Sequence, residues 1–185
     1  MRRIGITGGI GSGKSVVSRL LRIMGYSVYD TDSEAKRLME SSLEVVQKLS
    51  ECFGRDIYHN GRLNRGLLSS RVFGKSDKIV LLNSIVHPVV RFDFYRWSES
   101  LNEEICFVES AILYESRFDE LVDEVWTVTA PEELRISRVR QRSGLTEEEI
   151  KKRMAAQLSE EEKQRRAAHI IWNDGNVSVI HRVLS

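Results

Sequence analysis

The sequence is poor in cysteine, in proline and in long apolar runs, and each shortage excludes something. The two cysteines, Cys52 and Cys106, lie far apart and outside any C-x-x-C pattern. That argues against a disulfide framework or zinc site and predicts two reduced, partly buried thiols. The only prolines are Pro88 and Pro131, and there is no low-complexity tract, so no linker divides the chain and no solenoid repeat is expected. The longest uncharged run, Ile79 to Val90, spans 12 residues and contains His87 and Pro88. A membrane-spanning helix needs about 20 apolar residues, so no membrane association is expected. Arg2 and Arg3 precede a stretch interrupted by Thr7, Gly8 and Gly9 and stopped by Lys14. This is not a secretory leader, and a cytoplasmic location is expected. Charge of one sign is lacking too: 28 basic against 27 acidic residues give a net charge of +1. No nucleic acid partner is expected, and any phosphate chemistry must come from local placement of Lys and Arg.

What remains is ample for a core, since 41% of the 185 residues are hydrophobic. Short β-branched runs at Ile4–Thr7, Val28–Tyr29, Ile105–Val108, Val125–Val128 and Ile170–Trp172 alternate with longer charged stretches of helical period. Runs so short and so uniformly apolar suit strands covered on both faces, which predicts an α/β fold with a parallel sheet. The interval from Tyr29 to Ile105 holds no comparable strand, so Ser33–Asn102 reads as an inserted helical cap. Within it, Pro88 is placed to open a helix over Val89–Leu101 at its first turn. Pro131 to Ala168 is a second helical stretch, with Thr146 and Glu149 spaced as a capping box.

Between the first strand and the first helical stripe stands Gly8-Gly9-Ile10-Gly11-Ser12-Gly13-Lys14-Ser15, which fits the phosphate-binding pattern G-x-x-x-x-G-K-[ST]. Its glycines let backbone N–H groups converge on an anion at the N-terminus of a helix. Gly9 through Val16 are therefore candidate nucleotide contacts. Lys14 supplies a point charge to the terminal phosphates, and Ser15 places a hydroxyl where Mg²⁺ bridging two phosphates would sit. No N-K-x-D motif for guanine occurs, so ATP is favoured over GTP.

Acids follow at the strand ends, where ligands bind in open α/β sheets. Asp32, in Asp30-Thr31-Asp32, is the candidate base for an acceptor hydroxyl, although either aspartate also suits the cap of a helix Ser33–Met39. Glu109 closes the third strand as a Walker-B-like acid beside Ser15 and reads equally as a solvated strand end; Glu115 is a weaker candidate. Arg135, Arg138 and Arg142 project from one helix face, fitting either a lid that neutralises transferring charge or a solvated charged surface. Asn173-Asp174-Gly175-Asn176 is a turn that connects to a closing helix or lies along the nucleotide base.

Together these pieces resemble the dephospho-coenzyme A kinase family over nearly the whole chain. The resemblance rests on Thr7-Gly8-Gly9-Ile10-Gly11-Ser12-Gly13-Lys14-Ser15, Asp30-Thr31-Asp32, Ile85-Val86-His87-Pro88, Arg138 with Arg142, Arg153 with Gln157, and Asn173-Asp174-Gly175. It implies a P-loop kinase with a five-stranded parallel sheet flanked by helices. Residues 1–32, 103–130 and 168–185 would form the nucleotide core, 33–102 a helical acceptor domain, and 131–167 the lid. It also implies phosphorylation of the ribose 3′-hydroxyl of dephospho-CoA by ATP with Mg²⁺. Asp32 would be the base and Lys14, Arg138 and Arg142 the phosphate-side cations, with Asn173 and Gly175 at the adenine. His87 and Glu109 would serve the acceptor, and Ser15 and Glu109 the metal. The chain departs from the family pattern at Glu109 and Ala111, where Asp and Pro are usual, and at Arg135, where Gln is more frequent. The rival readings are another small-molecule or nucleoside-monophosphate kinase, and a nucleotide-dependent switch.

Overall fold

The structure is a computed structural model that describes residues 1–176 and 179–184. Strand β1 (Arg2–Thr7), helix α1 (Lys14–Ile23) and strand β2 (Ser27–Asp30) open the chain. Next come α2 (Thr31–Ser41), α3 (Leu43–Phe53), the paired strands β3 (Tyr58–His59) and β4 (Arg62–Leu63), α4 (Arg65–Val72) and α5 (Ser76–Ser100). The chain then runs through β5 (Ile105–Glu109), β6 (Glu124–Thr129), α6 (Glu132–Ser143), α7 (Glu147–Ala155), α8 (Glu160–Arg166), β7 (His169–Trp172) and α9 (Val179–Leu184). It forms two compact units, one from Met1–Asp30 with Leu101–Ser185 and the other from Thr31–Ser100. No helix among the described residues is long and apolar enough to cross a membrane.

The first unit is built on a five-stranded sheet in the order β2-β5-β1-β6-β7, with every pairing parallel. On one face Ile4, Ile6, Phe107, Val128 and Ile171 bury against Val17 and Leu21 of α1, with Val179 and Val183 of α9 packed at the margin. The other face carries Thr127, whose hydroxyl donates to the Lys163 carbonyl of α8 at 3.2 Å. A β-carbon on Gly5 would lie 2.7 Å from Leu113 there. The five β-branched runs thus become strands of one parallel sheet, buried on both faces at its centre but open at its β7 edge, where Ile170 and Trp172 are exposed.

Local signals set the helix ends. Gly25, at φ 94°, donates to Arg22 O while Tyr26 N donates to Leu21 O, the paired bonds of a Schellman stop for α1. Thr146 Oγ1 accepts from Glu149 N at 3.3 Å, and Glu149 Oε2 accepts from Thr146 N at 2.8 Å. This is the reciprocal box expected for α7.

The second unit is helical with one exception that the periodicity hides. His59-Asn60-Gly61-Arg62 turns a hairpin, with Asn60 at φ 49° and Gly61 at φ 76° and Tyr58 opposite Leu63. Asn-Gly favours such turns, but strands of two residues leave no alternation to read. Pro88 departs from expectation more sharply. It does not open a helix but sits inside α5, a single helix of 25 residues. Val86, Val90, Phe94 and Ser98 form one buried stripe of period four across it. Burial of that stripe outweighs the bond that proline removes. An Arg37–Asp93 bond of 2.8 Å ties α2 to α5, and Tyr58 donates to Met39 O at 2.6 Å. Of the two cysteines, Cys106 is buried in β5 but Cys52 is exposed, because Val45, Leu49 and Phe53 form the buried face of α3 and position 52 falls off it.

Candidate active site

Central strand β1 ends at Thr7, and the glycine-rich loop turns from there into α1. Gly8, Gly11 and Gly13 have φ of 148°, 81° and 98°, backbone that side chains other than glycine adopt at a cost. Space forbids a side chain as well: a β-carbon on Gly8 would lie 2.1 Å from Val128 O, and one on Gly13 would lie 2.0 Å from Asn173 Nδ2. The loop is braced from within, since Ser12 N donates to Gly9 O at 3.1 Å and Val16 N to Gly13 O at 2.9 Å. Lys14 Nζ folds back to donate to Gly8 O at 2.8 Å. Ile10 N donates to Gln157 Oε1 at 3.0 Å. Among the described residues, the N–H groups of Gly11, Gly13 and Ser15 make no hydrogen bond, and they remain as donors for an anion at the α1 N-terminus. Thus Ile10, Ser12 and Val16 spend their amides inside the protein. Val16 is 53% exposed, and Ser15 is exposed too.

The sheet register gathers the acids. Asp30 of β2 stands opposite Glu109 of β5, and Glu109 stands opposite Ile6 of β1. Both carboxylates therefore lie at the C-terminal ends of strands on the same side as the glycine loop. Asp32 does not cap a helix: α2 begins at Thr31 and Asp32 belongs to its first turn, where a carboxylate favours the helix dipole. Asp32 and the half-buried His87 belong to the second unit. Burial pushes the His87 imidazole pKa down, and Arg91 adds to the effect. No cluster of three metal-ligating side chains occurs among the described residues. Strand-end carboxylate and loop hydroxyl together fit Mg²⁺ that arrives on ATP phosphates rather than a dedicated protein cage.

The three arginines of α6 do not share one fate. Arg135 is only 6% exposed. Its guanidinium pairs with Glu160 at 3.4 Å and crowds Gly9, whose β-carbon would lie 2.3 Å from Arg135 Nη1. It braces the back of the loop and is no part of an open cationic face, a role helical spacing cannot foretell. Glu160 also accepts from the Thr129 hydroxyl at 3.1 Å. Arg138 Nη2 donates to Asn173 Oδ1 at 3.4 Å, and Asn173 Nδ2 donates to Ser12 O at 2.9 Å. The Asn173 side chain thereby joins α6 to the phosphate loop. Arg142 is exposed in the last turn of α6. Gly175, at φ 87°, has open space around it, beside an Asx turn in which Asn176 N donates to Asp174 Oδ1 at 3.1 Å.

Two residues to which the sequence assigns no site role belong to this region, although Gln157 is among those that carry the resemblance. Gln157, between α7 and α8, contacts the loop directly. Lys163 is fully buried, with no hydrogen bond to Nζ among the described residues. Burial pushes its ammonium pKa down against the opposing pull of Glu115 and Glu160. Glu115 accepts from Leu158 N at 2.7 Å and so anchors the α7–α8 connection. In the sequence Lys163 looks like part of a solvated polar stretch, whereas Gln157 stands out only through the resemblance and Glu115 only as a weaker candidate acid. A cavity of about 390 Å³ opens between α6, α7 and α8, lined in part by Arg135, Met154, Gln157 and Glu160.

The family model for dephospho-CoA kinase matches residues 2–178. The chain belongs to the dephospho-CoA kinase family. A dephospho-CoA kinase of Porphyromonas gingivalis is 44% identical over 174 residues, covering 94% of this chain and 86% of that one. One from Corynebacterium diphtheriae is 40% identical over 187 residues, covering 99% and 94%. A Thermus thermophilus crystal structure superposes with a TM-score of 0.85 at 38% identity, covering 99% of this chain and 94% of that chain. The Campylobacter jejuni dephospho-CoA kinase gives 0.72 at 25% identity, with 99% and 93% covered. A shikimate kinase from Acinetobacter baumannii, at 17% identity and a TM-score of 0.55, shares the fold alone. As a member of the dephospho-CoA kinase family, the protein is an ATP-dependent phosphotransferase.

Proposed function

We propose that the protein transfers the γ-phosphoryl group of ATP to the ribose 3′-hydroxyl of dephospho-CoA, yielding coenzyme A and ADP in the cytoplasm. The observation that carries this is the loop geometry: glycines held at positive φ open α1, with Lys14 folded over the loop, in a chain of this family. In this reading the N–H groups of Gly11, Gly13 and Ser15 take phosphate oxygens, and Lys14 exchanges Gly8 O for the terminal phosphates. Gly9, Ile10 and Ser12 shape the loop, with Val16 at its rim. Asp32 accepts the proton of the 3′-hydroxyl as its oxygen bonds to phosphorus and the bridge to ADP breaks. Arg138 and Arg142 neutralise charge on the transferring group. Ser15 and Glu109 would hold Mg²⁺, which when bound would neutralise phosphate charge. Residues 33–102, with His87, receive the acceptor together with Glu109; 131–167 serve as the lid; Asn173 and Gly175 border the adenine, the former through its backbone because its side chain is engaged.

The test is ADP release measured with dephospho-CoA, shikimate, nucleosides and nucleoside monophosphates in parallel, with ³¹P NMR locating the phosphate on the product. Fast turnover with dephospho-CoA and a 3′-phosphate is expected. Preference for another acceptor, or ATP hydrolysis that no acceptor stimulates, would overturn the reading.

A further inference from the structure

We infer that Gln157 is a positioning residue for phosphoryl transfer: its side-chain amide fastens the phosphate loop to the segment after β5 and so fixes where the loop's remaining donors point. The inference rests on the proposed ATP chemistry of that loop. Gln157 Oε1 accepts from Ile10 N at 3.0 Å, and Gln157 Nε2 reaches Ala111 O at 3.5 Å. Its own backbone is held at both sides, because Gln157 N donates to Met154 O at 3.1 Å and Leu158 N donates to Glu115 at 2.7 Å. A half-buried side chain anchored in this way transmits the position of the α7–α8 connection to the loop with little slack.

The choice of an amide follows from charge and valence. The group must accept from Ile10 and donate to Ala111, which a carboxamide does with its two ends. A carboxylate would keep the first bond and lose the second, and it would set a negative charge behind amides meant for a triphosphate. An ammonium could not accept at all. Neighbouring contacts restrain the loop at other points: the Arg135 carbonyl lies 2.5 Å from where a Gly11 β-carbon would be, and Asn173 holds Ser12 O. Gln157 alone among these contacts engages a loop N–H. It thereby separates the donor spent on the protein from those left for phosphate.

The experiment compares Gln157→Met, which keeps length and apolar bulk without either bond, with Gln157→Glu, which keeps the Ile10 bond. With Gln157→Met, kcat should fall about 10- to 100-fold, as expected when a reacting group is misplaced by about an ångström. The Kd for ATP should change less than about threefold, and NMR hydrogen exchange should show Ile10 N–H losing its protection. With Gln157→Glu, Ile10 protection should persist while the KM for ATP rises about tenfold from charge repulsion. Thermal melts should show both variants folded. Wild-type kcat in folded Gln157→Met, or unchanged Ile10 protection in it, would overturn the inference; so would a loss of kcat that follows only a loss of folded protein. If unsubstituted protein binds ATP yet ignores dephospho-CoA, the acceptor reading fails alone. Ile10 protection and ATP Kd still decide the claim about Gln157.

Discussion

Gly13 illustrates how one atom decides a site. Its φ of 98° disfavours any β-carbon by about 1–2 kcal/mol, and the Asn173 amide already occupies the place where that carbon would go. Gly13→Ala should therefore lower the thermal midpoint and weaken ATP binding together, read by melts with and without nucleotide. Asp32→Asn should act differently: kcat falls by about 100-fold or more, in the range attributed to a general base, while the KM for ATP stays within about threefold. Full turnover in that variant would remove Asp32 from the base role. The thiols offer a third check. Burial pushes Cys106 up to about 11, and the side chain is inaccessible, so near pH 8 a thiol reagent should modify Cys52 at once and Cys106 only on unfolding. At this scale glycine, lysine and strand-end acids are legible in sequence, because their chemistry is tied to a short motif. The roles of Arg135 and Gln157 are not, although the first stands on the arginine face and the second in the resemblance. Their contacts with the glycine loop reach across more than a hundred positions of the chain, and helical spacing gives the direction of a side chain on its own helix without saying what covers it.

Helix α5 shows the limit of local rules at the next scale. Pro88 reads as a helix opener, yet it is exposed within a continuous helix, because the stripe on either side of it is worth more buried than the missing bond costs. An exposed ring contributes little packing, so Pro88→Ala should restore a backbone bond and stabilise the protein by about 1–3 kcal/mol, visible as a higher urea midpoint. A fall in the midpoint would mean that the ring is needed where it stands. Where signal and context agree, as at Thr146 and Glu149, the sequence suffices: Thr146→Ala should cost about 1 kcal/mol. The β3–β4 hairpin lies between these cases, its Asn-Gly turn visible but its two-residue strands too short to announce themselves.

For the whole molecule, pH and ligand act through linkage. The folded-state pKa of His87 lies below the ordinary 6.5, through burial and then Arg91. The unfolded chain therefore binds the proton more readily. Stability is complete above about pH 6.5 and declines as pH drops below it. Urea melts at about pH 7.5 and about pH 5.5 should show this slope, and His87→Gln should flatten it. ATP at about 100 times its Kd should add about 2.7 kcal/mol, a gain that Lys14→Ala should largely abolish.

The strand order carries one more consequence, which concerns the protein's birth on the ribosome. β1 lies at the middle of its sheet, with Arg2 opposite Ile105 and Ile4 opposite Glu124. The first strand synthesised can therefore dock with neither neighbour until roughly a hundred further residues have been made, a wait of roughly 5–20 s at ordinary elongation rates. During that interval the glycine loop has no strand to hang from. Nascent chains arrested before residue 105 should not retain nucleotide, whereas chains tethered beyond residue 172 with the exit tunnel cleared should do so.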